Sequence, residues 1–516
     1  MWEPRAALSW RWTRGSEARM KRYLYLWHRW LGIGLCLLLA LWFFSGVVML
    51  YVGYPKLTPA EHLARLPALQ VQDCCVDLGT ALLAAPHEQA PSSIRLSSVA
   101  GRPHYLLGYR AGESVAVDAR SGQRVYSTLG SLMASAEQFD PAPAVYLGSV
   151  WEDAWSHSRA LDSERPLHRI QLQDRDASLL YLSGQTGAVV RVATGNERLW
   201  NWVGAWLHWL YPLRGGVLDG AWGWVVTSLA FAASLMCLSG MLVGVLRWRF
   251  TKPYRSGSRT PYKGIARWHH LLGLVFGSLA LTWVFSGWLS MNPWRVFEHP
   301  QALASAAYQG GPLIAEAFAT DTTEALARFT AEGFIPREIE WRRIGGQGYL
   351  LARDGTGAVR LLDGDGRVHQ SLEPEALVRA AAAMWPAGTP QVETLHAYDA
   401  YYYGRAEHSM LGHLDKPLPA LRLRFDDPAA TWLHLDPRSG ALIEQLDERR
   451  RVYRWLFNLL HSWDWLPLLE RPPLWQGLLI TLSVGGSLLS LSATWLGWRR
   501  LRPRKPLARR LAAKRK

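Results

Sequence analysis

Four long segments that are almost free of charge set the strongest limit on how this chain can fold. They span residues 31–52, 221–246, 271–291 and 474–498. A bilayer core about 30 Å thick is crossed by about 20 apolar residues in a helix, and each segment reaches that length. Tryptophan crowds the ends of the segments, which is typical of the aromatic belts at membrane surfaces. The pattern predicts an α-helical polytopic membrane protein with four transmembrane helices.

The basic residues of the chain are concentrated beside these segments. The formal net charge is +15. Residues 1–29 hold seven Lys or Arg and two acids, residues 247–267 hold seven and no acid, and residues 499–516 hold ten and no acid. Positive residues at alternate ends of successive helices predict cytoplasmic termini and two large regions on the far side. Because orientation accounts for the charge, we expect no nucleic-acid binding.

The sequence contains an internal duplication. The segment 27–32, WHRWLG, returns 241 residues later as WHHLLG, and 42–46, WFFSG, returns as WVFSG. A second match, without gaps and at a spacing of 253 residues, joins 161–244 to 414–497. Each half therefore comprises a helix, an outer domain, an amphipathic segment with a histidine and a second helix. Two tandem repeats of this kind enter the membrane in the same direction, which predicts parallel repeats about a pseudo-twofold axis.

The duplication gives the chain a predicted order of segments. They are a cytoplasmic tail (1–22), transmembrane helix 1 (23–52), outer domain 1 (53–198), an interfacial His-bearing segment (199–219), transmembrane helix 2 (220–247), a basic cytoplasmic loop (248–264), transmembrane helix 3 (265–291), outer domain 2 (292–450), a second interfacial His-bearing segment (451–473), transmembrane helix 4 (474–498) and a basic cytoplasmic tail (499–516). Alternating stretches such as 114–118 and 421–425 predict half-buried strands, and the alanine-rich stretch 374–384 predicts a helix. The outer domains are therefore expected to be α+β with antiparallel sheet.

Four of the 16 histidines occupy matched positions beside the membrane segments. His28 and His269 lie at the cytoplasmic mouth of a helix, whereas His208 and His461 each precede a helix on the outer side. For a single histidine, the ordinary explanation is a side chain that reaches the lipid headgroups. Matched positions in both halves favour a function, because ionisable groups at membrane depth are costly.

Symmetry about the axis places His28 opposite His269, and His208 opposite His461 at the other depth. Two facing imidazoles are what a six-coordinate haem iron requires, with no position left for oxygen chemistry. The sequence thus predicts two haems, each ligated through its iron by one histidine pair. Zinc is the competing metal, but it usually takes four close ligands, and neither pair has a nearby cysteine or acid at ligand spacing.

Three other groups of residues leave alternatives open. His270 competes with His269 for the first haem, although its counterpart in the first half is Arg29, so symmetry favours His269. The His- and Tyr-rich stretch 396–413 is either a metal or chelate site or a polar loop at the edge of a core. Cys74 and Cys75 are adjacent in outer domain 1, where a vicinal disulfide or a redox pair is an alternative to two free thiols.

The motif Trp-His-x-x-Leu-Gly at 27–32, followed by Ser-Gly at 45–46, resembles the PepSY-associated transmembrane family. The segments 117–122, VDARSG, and 433–440, LHLDPRSG, resemble the Asp-x-x-Thr-Gly turn of PepSY domains, with Ser in place of Thr. The likeness covers nearly the whole chain from about residue 21. It implies a bacterial inner-membrane protein with periplasmic PepSY-like domains, b-type haem and iron-regulated reduction of ferric siderophores. The chain lacks the fused flavin or NAD domain, so the resemblance does not identify the electron donor.

Together these features predict a membrane electron-transfer protein of the ferric-chelate reductase type. Electrons from a cytoplasmic or quinol donor would enter at the haem of His28 and His269 and leave from the haem of His208 and His461. The expected partners are the lipid bilayer and a periplasmic ferric chelate, and the sequence assigns no catalytic residue. The alternative is a non-enzymatic sensor or scaffold whose PepSY-like domains bind periplasmic peptides or proteases.

Overall fold

The structure, a computed structural model, describes most of the chain in two compact units. The described residues are 14–110, 112–298, 305–385, 390–410, 412 and 414–502. The helical unit comprises residues up to 48, 204–296 and those from 454 onward, and the sheet unit comprises 49–203 and 297–453. Parts of the predicted tails 1–22 and 499–516 lie outside the described residues, as does His413.

Helices of very different length occur along the chain. The α-helices are α1 (Arg14–Met49), α2 (Pro59–Arg65), α3 (Leu78–Leu83), α4 (Leu129–Phe139), α5 (Gly195–Val203), α6 (Ala205–His208), α7 (Trp222–Arg247), α8 (Ile265–Ser290), α9 (Ser305–Gln309), α10 (Thr322–Ala331), α11 (Pro374–Ala382), α12 (Glu448–Tyr453), α13 (Leu460–Ser462), α14 (Leu466–Leu469) and α15 (Pro472–Leu501). One turn of π-helix, Arg454–Leu459, joins α12 to α13.

Four of these helices, α1, α7, α8 and α15, are long and apolar enough to cross a membrane, which confirms the four predicted spans. The candidate spans are Arg19–Met49, Asp219–Arg247, Ile265–Ser290 and Pro472–Leu501. The helix α1 begins at Arg14, upstream of the predicted start at residue 23. No proline occurs between residues 14 and 22, so nothing stops the helix from continuing into this charged stretch.

Close packing of small and aromatic residues holds the helical unit together. Lipid tails are as apolar as leucine, so helices in a bilayer associate through van der Waals contact rather than through the hydrophobic effect. The ring of Phe43 lies where a Cβ on Gly486 would come within 2.6 Å of it, and the ring of Phe276 fills the corresponding space beside Gly485. Glycine on α15 therefore lets two phenyl rings approach the helix backbone.

The sheet unit contains three antiparallel sheets. The strands are β1 (Ser93–Val99), β2 (Arg102–Gly108), β3 (Ser114–Asp118), β4 (Arg124–Val125), β5 (Ala144–Val150), β6 (Leu167–Leu172), β7 (Leu179–Ser183), β8 (Val189–Ala193), β9 (Glu338–Ile344), β10 (Gln347–Arg353), β11 (Val359–Leu362), β12 (Val368–His369), β13 (Gln391–Leu395), β14 (Ala420–Arg424), β15 (Trp432–Asp436) and β16 (Ala441–Leu446). Two sheets are four-stranded meanders, β5–β8 and β13–β16. The α+β composition of these regions confirms the predicted class.

The third sheet joins the two predicted outer domains. Its eight strands run in the order β12-β11-β10-β9-β1-β2-β3-β4, so strands from before and after the helices α7 and α8 share one sheet. The strands β1 and β9 pair antiparallel at its centre, with Ile94 opposite Trp341 and Leu96 opposite Ile339. All four side chains are buried in one core. Pairing between residues so distant in sequence was not predicted.

An ion-pair cluster on β9 gives the sheet unit a pH-dependent stability. Burial acts to raise the pKa of Glu340, but the guanidinium groups of Arg342 and Arg353 outweigh it and hold the pKa at about 2 instead of 4.5. Arg342 Nη2 lies 2.5 Å from Glu340 Oε1, and Arg353 Nη1 lies 3.0 Å from Oε2. A carboxylate whose pKa is lowered by folding stabilises the folded state at every pH above its unfolded-state pKa. For Glu340 this stabilisation is lost as the pH falls from 4.5 toward 2.

We therefore expect Glu340→Gln to lower the free energy of unfolding at pH 7 by on the order of 2 kcal/mol. The deficit should shrink below pH 4.5 and become small near pH 2, where Glu340 is half protonated even in the folded state. Denaturant unfolding at several pH values measures it. Asp365→Asn is the control, since the Asp365–Arg367 pair is 73% exposed on both sides and should contribute little. A deficit that is equal at pH 7 and pH 2 would contradict the assignment.

Candidate functional site

Two pairs of histidine rings face each other in the helical unit. The first pair is His28 on α1 and His269 on α8; their ring centroids are 6.3 Å apart and their planes differ by 26°. The second pair is His208, at the end of α6, and His461, in α13; their centroids are 6.1 Å apart and their planes differ by 74°. The structure thus brings together the four histidines in the two pairs that the duplication predicted.

The first pair is held by contacts to the helices that follow each histidine in sequence. His28 Nδ1 lies 3.1 Å from the carbonyl oxygen of Met236 on α7. Because a carbonyl only accepts, Nδ1 must carry the proton and donate it. His269 Nδ1 lies 3.0 Å from the hydroxyl of Ser492 on α15. That hydroxyl donates its own proton to the carbonyl of Leu489 at 2.6 Å, so it accepts from His269.

The second pair is oriented in the same way by the ends of α1 and α8. His208 Nδ1 lies 3.0 Å from the hydroxyl of Ser45, which donates to the carbonyl of Trp42. His461 Nδ1 lies 3.1 Å from the hydroxyl of Ser286, which donates to the carbonyl of Trp283. In both cases the serine proton is already used, so the hydroxyl accepts the Nδ1 proton.

All four imidazoles are therefore fixed in one tautomer. With the proton on Nδ1, a neutral imidazole carries a free lone pair on Nε2, which is the atom that binds a metal. Among the described residues, Nε2 of these four histidines has no hydrogen-bond partner. A ligand histidine that donates its other N–H to a carbonyl or hydroxyl is the usual arrangement around protein-bound metals.

The spacing of the rings fits two axial ligands on one metal. A metal–imidazole bond is about 2.0 Å long. The distance from the bonded nitrogen to the ring centroid is about 1.15 Å, for ring bonds of about 1.35 Å. Two imidazoles on opposite sides of one metal therefore have centroids about 6.3 Å apart. The observed separations are 6.3 Å and 6.1 Å. Within the parts of the chain that the structure describes, no group of three or more His, Cys, Asp or Glu side chains is placed to hold a metal. Each pair by itself thus offers a metal two imidazole ligands.

Glycine leaves room beside both pairs. A Cβ on Gly240 of α7 would lie 2.5 Å from His28 Cε1. A Cβ on Gly46 would lie 3.8 Å from the ring of His208, and one on Gly287 would lie 3.5 Å from the ring of His461. The first of these distances is shorter than any tolerated carbon contact, so His28 occupies its position only because residue 240 is glycine.

Gly240→Ala is accordingly expected to displace the ring of His28 and to weaken ligand binding at the first pair. The added methyl overlaps the imidazole, and the ring cannot rotate away without losing its bond to Met236. We expect about a tenfold loss of affinity, the size typical of a disturbed metal-ligand contact. Ala493, which corresponds to Gly240 in the second half, supplies the control, because Ala493→Gly opens space without a clash. Absorbance titration measures how much ligand the first histidine pair binds. Equal binding by the wild type and Gly240→Ala would contradict the close contact between residue 240 and the ring of His28.

His270 has a different role from its neighbour. It is 6% exposed, and both of its ring nitrogens are engaged. Nδ1 lies 2.7 Å from the hydroxyl of Thr260, and Nε2 lies 2.8 Å from the carbonyl oxygen of Gly244. His270 thus ties the loop between α7 and α8 to both helices, and neither nitrogen remains for a metal.

The stretch 396–413 forms the border of a core in its described part. Tyr402 is fully buried, and its hydroxyl donates to the carbonyl of Pro417 at 2.7 Å. His396 is exposed, and the ring of His408 bonds to the carbonyl of Leu50. Cys74 and Cys75 are joined by a disulfide. These residues are not part of either histidine pair.

The sequence analysis missed the groups that orient the histidines. Ser45 and Ser286 lie inside the duplicated WFFSG and WVFSG segments, so a signal for them was present. Ser492 also had a signal, because the match at a spacing of 253 residues pairs it with Ser239. The carbonyl of Met236 had none, because only the rotation of α7 about its axis brings it to the ring of His28.

Comparison with known proteins adds no relative to this description: no protein-family model matches the chain, and no curated protein matches it.

Proposed function

We propose that this chain is an electron-transfer protein of the bacterial inner membrane that binds haem b at each histidine pair and reduces a periplasmic ferric chelate. One observation carries the proposal: all four matched histidines have a proton fixed on Nδ1 and a free Nε2, in pairs separated as two axial ligands require. The resemblance of the sequence to the PepSY-associated transmembrane family supports the same function.

The two histidines of a pair would hold a haem b through its iron, each by its Nε2 atom. The bound haem would supply one-electron chemistry between its ferric and ferrous states. With two protein ligands on the iron, the site would favour electron transfer over the binding of oxygen or substrate at the metal. The bonds from Nδ1 to Ser45, Ser286, Ser492 and the Met236 carbonyl keep the rings in place during both states.

The relation between the two pairs supports parallel repeats and a route across the membrane. His28 and His269 are 241 residues apart in sequence, and so are Ser45 and Ser286. The first pair lies in the N-terminal halves of α1 and α8, and the second pair bonds to serines near their C-terminal ends. Seventeen residues separate His28 from Ser45, which corresponds to about 25 Å along a helix.

The charge distribution favours a cytoplasmic first pair. The loop between α7 and α8 is rich in Lys and Arg and contains no acid between residues 247 and 267, as expected for a cytoplasmic loop. In this proposed topology the regions 53–198 and 292–450 are periplasmic, and the second pair lies toward the periplasmic ends of α1 and α8. A cytoplasmic reductase or a membrane quinol loses the electrons, and each ferric ion that accepts one becomes ferrous and leaves its chelator more readily.

Two measurements test this function. Alkaline-phosphatase fusions after Gly130 or Gly364 should be active and a fusion after Ser256 inactive, because phosphatase folds only in the periplasm. Purified protein in liposomes, reduced from the side of the first pair, should reduce a ferric chelate outside, and His208→Ala should abolish this. Reversed fusions, or reduction that persists in His208→Ala, would overturn the proposed direction of transfer.

A second candidate function is a non-enzymatic scaffold that binds periplasmic peptides. The strand β13 favours it, because β13 is an edge strand of its sheet and its first four residues are exposed. Exposed edges of this kind accept an extended peptide as an additional strand. The scaffold predicts a colourless protein, so a visible spectrum of the purified chain separates the two functions.

A further inference from the structure

Arg247, a cation with no acidic partner among the described residues, ends the helix whose Gly240 contacts the first histidine pair. Arg247 is the last residue of α7, and its guanidinium carbon lies 4.7 Å from the ring centroid of Tyr25 on α1. The side chain is partly buried, and its Nε is buried without a hydrogen-bond partner. No Asp or Glu of the described residues forms an ion pair with Arg247. Only Nε of the guanidinium is among the buried atoms without a partner, so its two Nη groups remain accessible to an anion.

The geometry of α1 and α7 directs Arg247 toward the first pair. Gly240 and Arg247 are seven residues apart, two helical turns, and so lie on one face of α7. Gly240 of that face contacts the ring of His28. On α1, Tyr25 precedes His28 by three residues and shares its face. Seven residues span about 10.5 Å, and the tilt of helical side chains toward the N-terminus brings the guanidinium closer to His28.

Hydrogen bonds hold the surroundings of Arg247 in place. The Tyr254 hydroxyl donates to the Arg247 carbonyl at 2.9 Å, and His270 ties the preceding turn of α7 to α8 through the Gly244 carbonyl. Burial raises the pKa of Tyr262, and the positive charge of Arg247 opposes that shift, so Tyr262 also lies near the guanidinium. Tyr25 and Tyr262, rather than a carboxylate, therefore lie near the guanidinium.

We infer that Arg247 holds a carboxylate of the group bound between His28 and His269, which for haem b is a propionate. The inference rests on the proposed function and adds a residue that positions the cofactor and sets its potential. A guanidinium is suited to a carboxylate because its N–H groups form a planar fork, and a charge-assisted bond of this type is strong where water is scarce. A phosphate from an anionic lipid has the same chemistry, so the test must separate the two sources.

Redox titration of the full-length chain in nanodiscs tests the inference in three variants, Arg247→Gln, Arg247→Lys and Arg500→Gln. Arg500 corresponds to Arg247 in the second half but is exposed, so its variant is the matched control. Arg247→Gln should lower the midpoint potential of the haem that depends on His28, because a nearby positive charge stabilises the reduced form. It should also speed loss of that haem to apomyoglobin by about tenfold. Arg247→Lys should restore the potential in part, and Arg500→Gln should change neither quantity.

Nanodiscs made only of zwitterionic lipid distinguish the two anions. If Arg247 holds the propionate, the effects of Arg247→Gln persist there; if they appear only with anionic lipid, Arg247 binds a headgroup and the inference fails. The inference alone is overturned if the wild-type protein binds two haems and Arg247→Gln changes neither the midpoint potential nor the rate of haem loss. Wild-type protein without haem overturns the proposed function and this inference with it.

Discussion

Replacing His28 or His269 with alanine is expected to remove the same haem and to leave the other in place. Under the proposed function each change would remove one of the two histidines that hold the haem, and the remaining histidine would not hold it alone. We expect the reduced absorbance of the first-pair haem to fall by most of its wild-type value in either variant. His208→Ala and His461→Ala should remove the other component. Difference spectra of purified variants at equal protein concentration measure both.

The double variants and a neighbouring histidine provide the controls. His28→Ala combined with His269→Ala should add little to either single change, because residues that act as a unit are not additive. His270→Ala should keep both spectral components, since both ring nitrogens of His270 are bonded within the protein. If His28→Ala and His208→Ala removed the same spectral component, the proposed pairing of the histidines would be contradicted.

Truncating Trp341 to alanine is expected to destabilise the sheet unit by about 3–5 kcal/mol, the cost of removing a large aromatic side chain from a core. Trp341 is 2% exposed, lies opposite Ile94 of β1 and packs against the ring of Tyr105 at 5.5 Å. Because both halves of the sheet unit share this core, they should become sensitive to protease at the same denaturant concentration in Trp341→Ala. The two halves are the regions 53–198 and 297–450. Pulse proteolysis of the full-length protein, with fragments from each region quantified separately, measures this.

Trp151→Ala is the matched control, because Trp151 is 68% exposed and its removal should cost less than about 0.5 kcal/mol. If 53–198 stays resistant while 297–450 is digested in Trp341→Ala, the eight-stranded sheet does not couple the two regions. Separate transitions in the wild type would lead to the same conclusion.

Local patterns in the sequence predicted much of the fold. The four apolar segments became α1, α7, α8 and α15, and the alternation at 114–118 became β3. The alanine-rich stretch from Pro374 formed α11. Gly122 and Gly440 adopt the positive φ that the predicted turns after their strands require. Each of these features depends on residues that are close in sequence.

The remaining features depend on tertiary packing that periodicity does not encode. The antiparallel pairing of β1 with β9 has no local signal, because both strands would be equally regular in separate sheets. At the site, the duplication predicted which histidines face each other. It did not predict that Met236 and Ser492 fix the first pair, because those contacts depend on how far α7 and α15 rotate.

The two pairs are similar but not equivalent, which bears on the proposed direction of electron transfer. The planes of the first pair differ by 26° and those of the second by 74°. His28 bonds to a main-chain carbonyl beside Gly240, whereas His269 bonds to a serine hydroxyl beside Ala493. Hydrogen bonding to the ligands and the charge nearby are among the means by which a protein sets a redox potential. Two distinct midpoint potentials are therefore expected.

The haem content of the purified chain tests the central claim most directly. Protein produced with adequate haem supply and purified in detergent should give two haem b per polypeptide in the pyridine haemochrome assay. Its reduced spectrum should show the sharp bands of six-coordinate iron, with no shift on addition of carbon monoxide because no axial position is open. A colourless protein from which no haem can be extracted would contradict the account.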